Sequence, residues 1–211
     1  MGHPLHKIVY VGDPLCSWCW GIAEELEMLR NAWQSKAEFQ IVLGGLRPGG
    51  TETIGGKMGH FLARHWSQVS RLSGQPISHG MLENKNFIYD TEPPCRAIRV
   101  VRALDSRKEF AFFKAVQYAF YVRNRDTNEL KTYLEICSDL SLDKNSFEER
   151  YKNKTLKLAT QVDFNLARSM GVTSFPTLLL QLGSEIHVLA RGYAKFADMD
   201  KELQETLSMY S

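Results

Sequence analysis

Hydrophobic residues near the N-terminus follow first a strand pattern and then a helix pattern. The β-branched and aromatic run at residues 8–11 predicts a strand. An apolar repeat of helical period predicts a helix over residues 20–33, and a second β-rich run predicts a strand over 39–43. Two strands joined by a helical crossover lie parallel in one sheet. The first part of the chain therefore predicts a β-α-β unit.

From about residue 57 to residue 170 the periodicity is helical almost throughout, without a convincing strand. The pair Pro93-Pro94 is a helix-start signal, and a helix is predicted over residues 95–104. Further helices are predicted over residues 110–121, 129–139, 146–151 and 156–170.

The pattern then returns to strands, predicted over residues 177–182 and 186–190, before a final amphipathic helix over 196–209. This order of elements predicts an α/β fold with a large all-helical insertion. The predicted domains are an α/β domain formed by residues 1–56 and 157–211, and an inserted helical domain, residues 57–156.

Composition and charge exclude several classes of function. The net charge is +2 with both signs interspersed, so nothing favours binding to nucleic acid or to an anionic membrane surface. No apolar stretch approaches the length of a membrane span. Residues 1–7 are polar and run directly into the first predicted strand, without a basic and then apolar signal segment. The expected location is therefore the cytoplasm.

The most informative motif is a C-x-x-C sequence, Cys16 to Cys19, between the first predicted strand and the first predicted helix. Two thiols at positions i and i+3 of a helical first turn can close into a disulfide. Free backbone N–H groups and the positive end of the helix dipole favour a thiolate there. In a reducing compartment, a C-x-x-C next to a β-α-β pattern indicates redox chemistry.

A metal site is not predicted. Cys95 and Cys137 are far apart in sequence, and a single C-x-x-C lacks the four ligands that structural zinc usually requires. His60 and His65 are five positions apart rather than the three or four that place two ligands on one helix face.

A second motif, Phe175-Pro176, precedes the third predicted strand. A proline cannot donate to a strand ladder, so Pro176 belongs at the first residue of the strand or on an edge. A cis peptide bond in a tight turn would fit this position. The backbone around such a proline exposes peptide groups that can pair with an extended chain.

Taken together, these motifs resemble the thioredoxin superfamily. The resemblance is carried by CSWCWG at residues 16–21, FPT at 175–177, TEPPCRA at 91–97 and the helical insertion. Within the superfamily the chain is similar to the DsbA-type branch, specifically its cytosolic, FrnE-like predicted protein-disulfide isomerases. The resemblance covers essentially the whole chain and implies a thioredoxin-like fold.

The resemblance also implies roles for individual residues. Cys16 would be the attacking thiolate, exposed at the helix start, and Cys19 the resolving thiol. Pro176 would be a cis-proline facing Cys16, and Phe175 would offer its backbone to the substrate. Trp18 is interpreted as a substrate contact.

Five further residues are interpreted from the resemblance or from their place in the predicted elements. Many relatives carry a buried acid six residues before the first cysteine, where this chain has Tyr10. Asp13 is the nearest carboxylate and either tunes the redox site or simply forms an Asp-Pro turn. Ser17 also tunes the site, without a positive charge. Cys95 is either a second reactive thiol at a helix start or a buried small residue, and Cys137 is interpreted as core.

The function that follows is a thiol–disulfide oxidoreductase or protein disulfide isomerase acting on protein or small-molecule disulfides through a mixed disulfide. No cofactor beyond the redox-active disulfide is expected, with glutathione as a conceivable reductant or co-substrate. One alternative is a glutathione-dependent isomerase or kappa-class-like glutathione transferase, although those lack the resolving thiol that Cys19 supplies. Another is a non-enzymatic, peptide-binding chaperone. The oligomeric state is not predicted.

Overall fold

A four-stranded sheet and nine α-helices form the part of the chain that the computed structural model describes, residues 6–210. The strands are β1 (His6–Gly12), β2 (Ala37–Leu43), β3 (Thr177–Leu182) and β4 (Glu185–Arg191). The helices are α1 (Ser17–Gly21), α2 (Ala23–Trp33), α3 (Gly56–Ser73), α4 (Glu92–Leu104), α5 (Glu109–Tyr121), α6 (Leu130–Asp139), α7 (Lys144–Lys152), α8 (Lys154–Ser169) and α9 (Phe196–Ser208).

The sheet is mixed, with strand order β2-β1-β3-β4. Strand β1 pairs in parallel with β2, as the β-α-β pattern predicts, and Gly12 lies opposite Leu43. Strand β3 is antiparallel to β1, and its first residue, Thr177, lies opposite Val11. The C-terminal end of β1 and the N-terminal end of β3 therefore lie side by side at the same end of the sheet. This topology brings the C-x-x-C turn and Pro176 together.

Both faces of β1 are covered, because its side chains alternate between two hydrophobic clusters. Ile8 and Tyr10 point into the larger core on one face. Val9 and Val11 point to the other face, where they pack in one cluster with Ala167 of α8. The predicted α/β fold, a central mixed sheet flanked by helices, is confirmed.

The helices of the central region dock onto this sheet through a largely buried arginine. Arg102 of α4 makes ion pairs with Glu109 at 2.6 Å and with Asp163 of α8 at 2.9 Å. It also donates to the carbonyl of Ile41 in β2 at 2.9 Å. Buried charges are tolerated when they are paired in this way. Arg102 thus joins α4, α5 and α8 to β2.

The expectation of helix from residue 57 to residue 170 is wrong for residues 74–91. That segment holds only a short 3₁₀ helix, Gly80–Glu83, and a single bridge between Thr53 and Ile88. Gly74 ends α3 in the left-handed conformation, with a φ of 76°, which glycine adopts at little cost. An apolar pattern alone does not reveal such a break.

The predicted helix over residues 20–33 is also different in the structure. It begins at Ser17 and is divided into α1 and α2 at Ile22, whose ψ of −6° departs from helical geometry. The other individually predicted elements are present, with bounds that differ by at most three residues.

The domain division at residues 56/57 and 156/157 stays a prediction. Residues 1–5 and 211, which that division includes, lie outside the described residues. Within residues 6–210, no helix combines the length and the apolar character needed to cross a membrane.

Candidate active site

The turn between β1 and α1 positions the two cysteines of the motif. The N–H of Cys16 donates to the carbonyl of Asp13 at 3.1 Å, and the N–H of Leu15 donates to the Asp13 carboxylate at 2.9 Å. Cys16 is the N-cap of α1, with extended backbone, and Cys19 lies in the first turn. The backbone N–H groups of that turn have no helical acceptor, so they favour negative charge nearby.

Cys16 lies at the bottom of a cleft rather than on an open surface. Its Sγ is 3.5 Å from the carbonyl oxygen of Phe175, to which the thiol donates. The peptide bond between Phe175 and Pro176 is cis. The Cys16 side chain is only 7% exposed, so the expectation of an exposed thiol is wrong. The residue belongs to the lining of this cleft.

The cleft has a volume of about 760 Å³ and an apolar wall with cationic groups. Its lining includes Ser17 and Trp18 of the motif, and Met58, Phe61 and Leu62 of α3. The charged or ionisable lining groups that sequence analysis did not identify as site residues are Arg47, His65, Tyr89 and Arg168. Among the described residues, no carboxylate side chain lines this cleft. It therefore suits an apolar or anionic ligand better than a cationic one.

A glycine allows the Phe175 loop to approach the end of β2. A Cβ atom added to Gly44 would overlap the Phe175 ring, which packs directly on the Gly44 backbone. Gly44 is fixed in turn by a hydrogen bond from its N–H to the carbonyl of Gly12 at 2.8 Å. Glycine is required at residue 44 because of this close approach.

Trp18 forms a wall of the cleft together with a histidine from α3. The indole N–H of Trp18 donates to Nε2 of His65 at 2.9 Å. The His65 ring stacks on Phe61, with ring centroids 5.4 Å apart. Sequence analysis weighed His65 only as a metal ligand. The placement of Phe61 and His65 four positions apart on one helix face was the only signal for this wall.

Cys19 lies behind Cys16 and is 1% exposed. The two thiols are free and lie close to one another. The Cys19 sulfur also receives the backbone N–H of Asp13 at 3.5 Å and contacts the hydroxyl of Tyr10. Burial raises the pKa of Cys19 well above its usual value, and the contact with Cys16 raises it further.

Asp13 is completely buried and organises the turn and a neighbouring loop. Its carboxylate accepts the N–H of Leu46 at 2.7 Å, in addition to that of Leu15. The thiol of Cys95 lies 3.6 Å from the same carboxylate. Burial raises the pKa of Asp13 to about 6, although the two N–H donors act in the opposite direction. Asp13 thus has the hydrogen-bond partners of a turn residue, and its pKa is higher than that of an ordinary aspartate.

The two remaining cysteines are buried in the helical region. Cys95 is the fourth residue of α4, and burial and the neighbouring Asp13 carboxylate raise its pKa well above the usual value. Of the two interpretations of Cys95, a second reactive thiol or a buried small residue, the structure agrees with the buried residue. Burial raises the pKa of Cys137 to about 12, and its side chain is inaccessible, so its interpretation as core is confirmed.

Metal-ligating residue types do not converge in the part of the chain that the structure describes. Across residues 6–210, no group of three or more His, Cys, Asp or Glu side chains could hold a metal ion.

The model of a thioredoxin family, described as "Thioredoxin", matches residues 9–199. That range is most of the chain, and the chain belongs to this family. The thioredoxin-like fold predicted from the motifs is confirmed.

Solved structures of DsbA type support the same assignment. A candidate protein disulfide isomerase from Nitrosomonas europaea is 28% identical, with a TM-score of 0.90 over 98% of this chain and 100% of that one. The cytosolic disulfide reductase DsbM from Pseudomonas aeruginosa is 24% identical, with a TM-score of 0.80 over 96% of this chain and 99% of that one. The same reductase has also been solved with glutathione, and there the TM-score is 0.78.

Among curated proteins, the ClpXP adapter protein SpxH of Bacillus subtilis is 22% identical over 84% of this chain. The chain spans only 59% of the length of that relative. The family model and the solved structures agree on a thioredoxin-like fold.

Proposed function

We propose that this protein is a thiol–disulfide oxidoreductase, of the protein disulfide isomerase kind, that works through Cys16 and Cys19. The observation that carries the proposal is the position of Cys16. Cys16 lies at a helix start and in the lining of a cleft, with its sulfur against the Phe175 carbonyl and with Cys19 nearby on the same helical turn. A cysteine in such a setting is a nucleophile when it is deprotonated.

The reaction proceeds in two steps. The Cys16 thiolate attacks one sulfur of a substrate disulfide, a bond between Cys16 and that sulfur forms, and the other substrate sulfur leaves and takes up a proton. Cys19 then loses its proton and attacks the Cys16 sulfur. The Cys16–Cys19 disulfide forms, the second substrate thiol is released, and two electrons have passed to the substrate. Run in reverse, the same steps oxidise a dithiol.

The lining of the cleft suggests which thiols and disulfides it accepts. The apolar α3 wall suits a peptide, and the guanidinium of Arg168, with that of Arg47 beside its ion pair to Glu52, suits carboxylates, as in glutathione. A related fold has been solved with glutathione. Glutathione is therefore proposed as reductant or co-substrate, beside protein disulfides. A cytoplasmic location, where thiols are kept reduced, would favour reduction or isomerisation.

The proposal predicts that Cys19→Ser stalls the reaction after its first step. Without a resolving thiol, the mixed disulfide between Cys16 and the substrate accumulates. Incubation with oxidised glutathione or oxidised insulin, acid quenching and intact-mass spectrometry should show one covalent adduct, which peptide mapping assigns to Cys16.

The matched control is Cys137→Ser, a buried cysteine outside the cleft, which should accumulate no adduct. Absence of an adduct in Cys19→Ser, or an adduct on Cys95 or Cys137 instead, contradicts the proposal. Peptide binding or antiaggregation activity that survives loss of both Cys16 and Cys19, without any redox turnover in the intact protein, would favour the chaperone alternative.

A further inference from the structure

A second, much smaller cavity lies behind Cys19, on the side away from the substrate cleft. It has a volume of about 30 Å³, which is the space of about one water molecule. Tyr10 of β1 and Cys19 of α1 line one side of it. Gln117 and Lys114 of α5 and Glu27 of α2 also line it. The cavity therefore connects a sulfur of the dithiol to ionisable groups on two helices.

Tyr10 is held against Cys19 by its surroundings. Its ring packs edge-on against Phe113, with centroids 5.7 Å apart, and is 2% exposed. The end of the ring lies over Gly12, where an added Cβ would stand 2.7 Å from the Tyr10 oxygen. Tyr10 and Cys19 line the same cavity, and the hydroxyl is close enough to the sulfur for each group to raise or lower the pKa of the other. Only glycine at residue 12 allows the ring to take this path.

Gln117 supplies an unused donor at the same cavity. Its side chain is 1% exposed, and its Nε2 atom has no hydrogen-bond partner within the described chain. A buried amide without a partner costs free energy, and a water molecule in a polar cavity of sufficient size satisfies it. Lys114 and Glu27, which also line the cavity, form an ion pair and are both partly exposed.

We infer that Tyr10 is a catalytic residue of the resolving step, and that a water molecule held by Gln117 carries the Cys19 proton out of the protein. The inference rests on the proposed dithiol mechanism. When Cys16 is in the mixed disulfide, Cys19 transfers its proton to this water, which passes a proton on toward Glu27 and bulk solvent. The Tyr10 hydroxyl donates to the sulfur as its negative charge forms. The new Cys19–Cys16 bond then replaces the Cys16–substrate bond, and the departing thiolate takes a proton from solvent.

Several charged or ionisable groups surround the Cys19 sulfur and influence how its ionisation depends on pH. Cys16 and Asp13 lie on the same turn. Glu27 and Arg30 of α2 and Lys114 of α5 line the cavity.

The test separates the two steps of the reaction with oxidised glutathione as the probe. Rapid acid quenching and intact-mass spectrometry give the rate at which the Cys16 adduct forms and the rate at which it resolves. In Tyr10→Phe, resolution should be roughly 10-fold slower, because a hydrogen bond to a charged sulfur is lost. The pH midpoint of resolution should rise by about one unit, and the rate of adduct formation should stay within about twofold.

Tyr133→Phe is the matched control, since Tyr133 is also fully buried and its hydroxyl donates to the Thr127 carbonyl, away from the sulfurs. Both rates should be unchanged in it. Gln117→Leu leaves Tyr10 in place and removes an unpaired buried group, so it should fold and should slow resolution by about threefold or more. It supplies the test if Tyr10→Phe does not fold.

If Tyr10→Phe resolves the Cys16 adduct at the wild-type rate and with the wild-type pH profile, the inference for Tyr10 is overturned. Equal slowing of both steps would do so as well, because lost packing would explain it. Unchanged resolution in Gln117→Leu would overturn the water path. A wild-type protein that forms no Cys16 adduct at all would instead overturn the proposed function.

Discussion

Cys16 and Cys95 each lie near the N-terminus of a different helix, and of these two only Cys16 lines the cleft. Cys16 is the N-cap of α1 and lines the large cleft. Cys95 lies in the first turn of α4, has no exposed surface and faces the Asp13 carboxylate at 3.6 Å. The two residues are similar in sequence context but opposite in surroundings.

The difference shows that a helix start does not by itself make a reactive thiol. The helix dipole is worth about 0.3–1 kcal/mol for a nearby charge. Full burial shifts a pKa by up to about 3–5 units, at about 1.4 kcal/mol per unit, and an adjacent carboxylate adds to the shift. At Cys95, burial and Asp13 together outweigh the helix dipole, and the pKa rises. Reactivity is decided by the groups around the sulfur.

The largest expected effect is on turnover when each of these cysteines is replaced by serine. Cys16→Ser should lower the rate of insulin reduction by about 100-fold or more, because a serine hydroxyl is a far weaker nucleophile at neutral pH. Cys95→Ser should stay within about twofold of the parent protein. A comparable loss in both variants would mean that the contrast between the two sites does not govern catalysis.

A smaller effect is expected from Asp13→Asn, which changes the carboxylate shared by the turn and Cys95. The pKa of Asp13 is about 6 in the folded protein and about 4 in the unfolded chain. At a pH below the unfolded-state pKa, this group therefore makes its full contribution to folding stability. That contribution is lost as the pH rises through 6. Relative to the parent protein, the asparagine variant should therefore gain about 2 kcal/mol in the free energy of unfolding between pH 4 and pH 7.

Urea denaturation of both proteins across that pH range measures this difference. If the free energy of unfolding of the variant minus that of the parent protein stays constant with pH, or falls as the pH rises, the raised pKa of Asp13 is contradicted. Glu109, whose pKa burial raises to about 7, contributes in the same direction in both proteins and cancels in the comparison.

The smallest effect is expected from a change in the wall of Trp18 and His65, which belongs to the Cys16 site and not to the Cys95 site. His65→Leu removes the acceptor of the Trp18 indole N–H, a hydrogen bond worth about 1 kcal/mol. The KM for a disulfide peptide should rise by about fivefold, with kcat within about twofold. His60→Leu, an exposed position on the same helix, is the control and should change neither constant. A change in kcat alone would contradict a role in substrate binding.

Much of the fold could be predicted because it depends on local patterns. The strand runs and apolar helical repeats predicted nearly all elements within a few residues. The break at residues 74–91 was missed because the segment is apolar enough to resemble helix, while its glycine, proline and asparagine residues end it. The C-x-x-C motif also located the dithiol, because its spacing and its place after a strand are local features.

The cleft could not be predicted in the same way. Its lining comes from segments far apart in sequence, including Arg47 after β2, His65 on α3 and Arg168 on α8. Nor does the spacing of Tyr10 and Gln117 indicate that both line one cavity behind Cys19. Such groups meet only when the sheet order and helix packing are known.

The sequence by itself determined which residues form strands and helices and that two thiols stand one turn apart, because these properties depend on neighbours along the chain. Only the tertiary structure decided how accessible each thiol is and which groups face it. Burial and electrostatic contact depend on residues that are distant in sequence, as the contact of Cys95 with Asp13 illustrates. The chemical difference between Cys16 and Cys95 is therefore a property of the folded molecule.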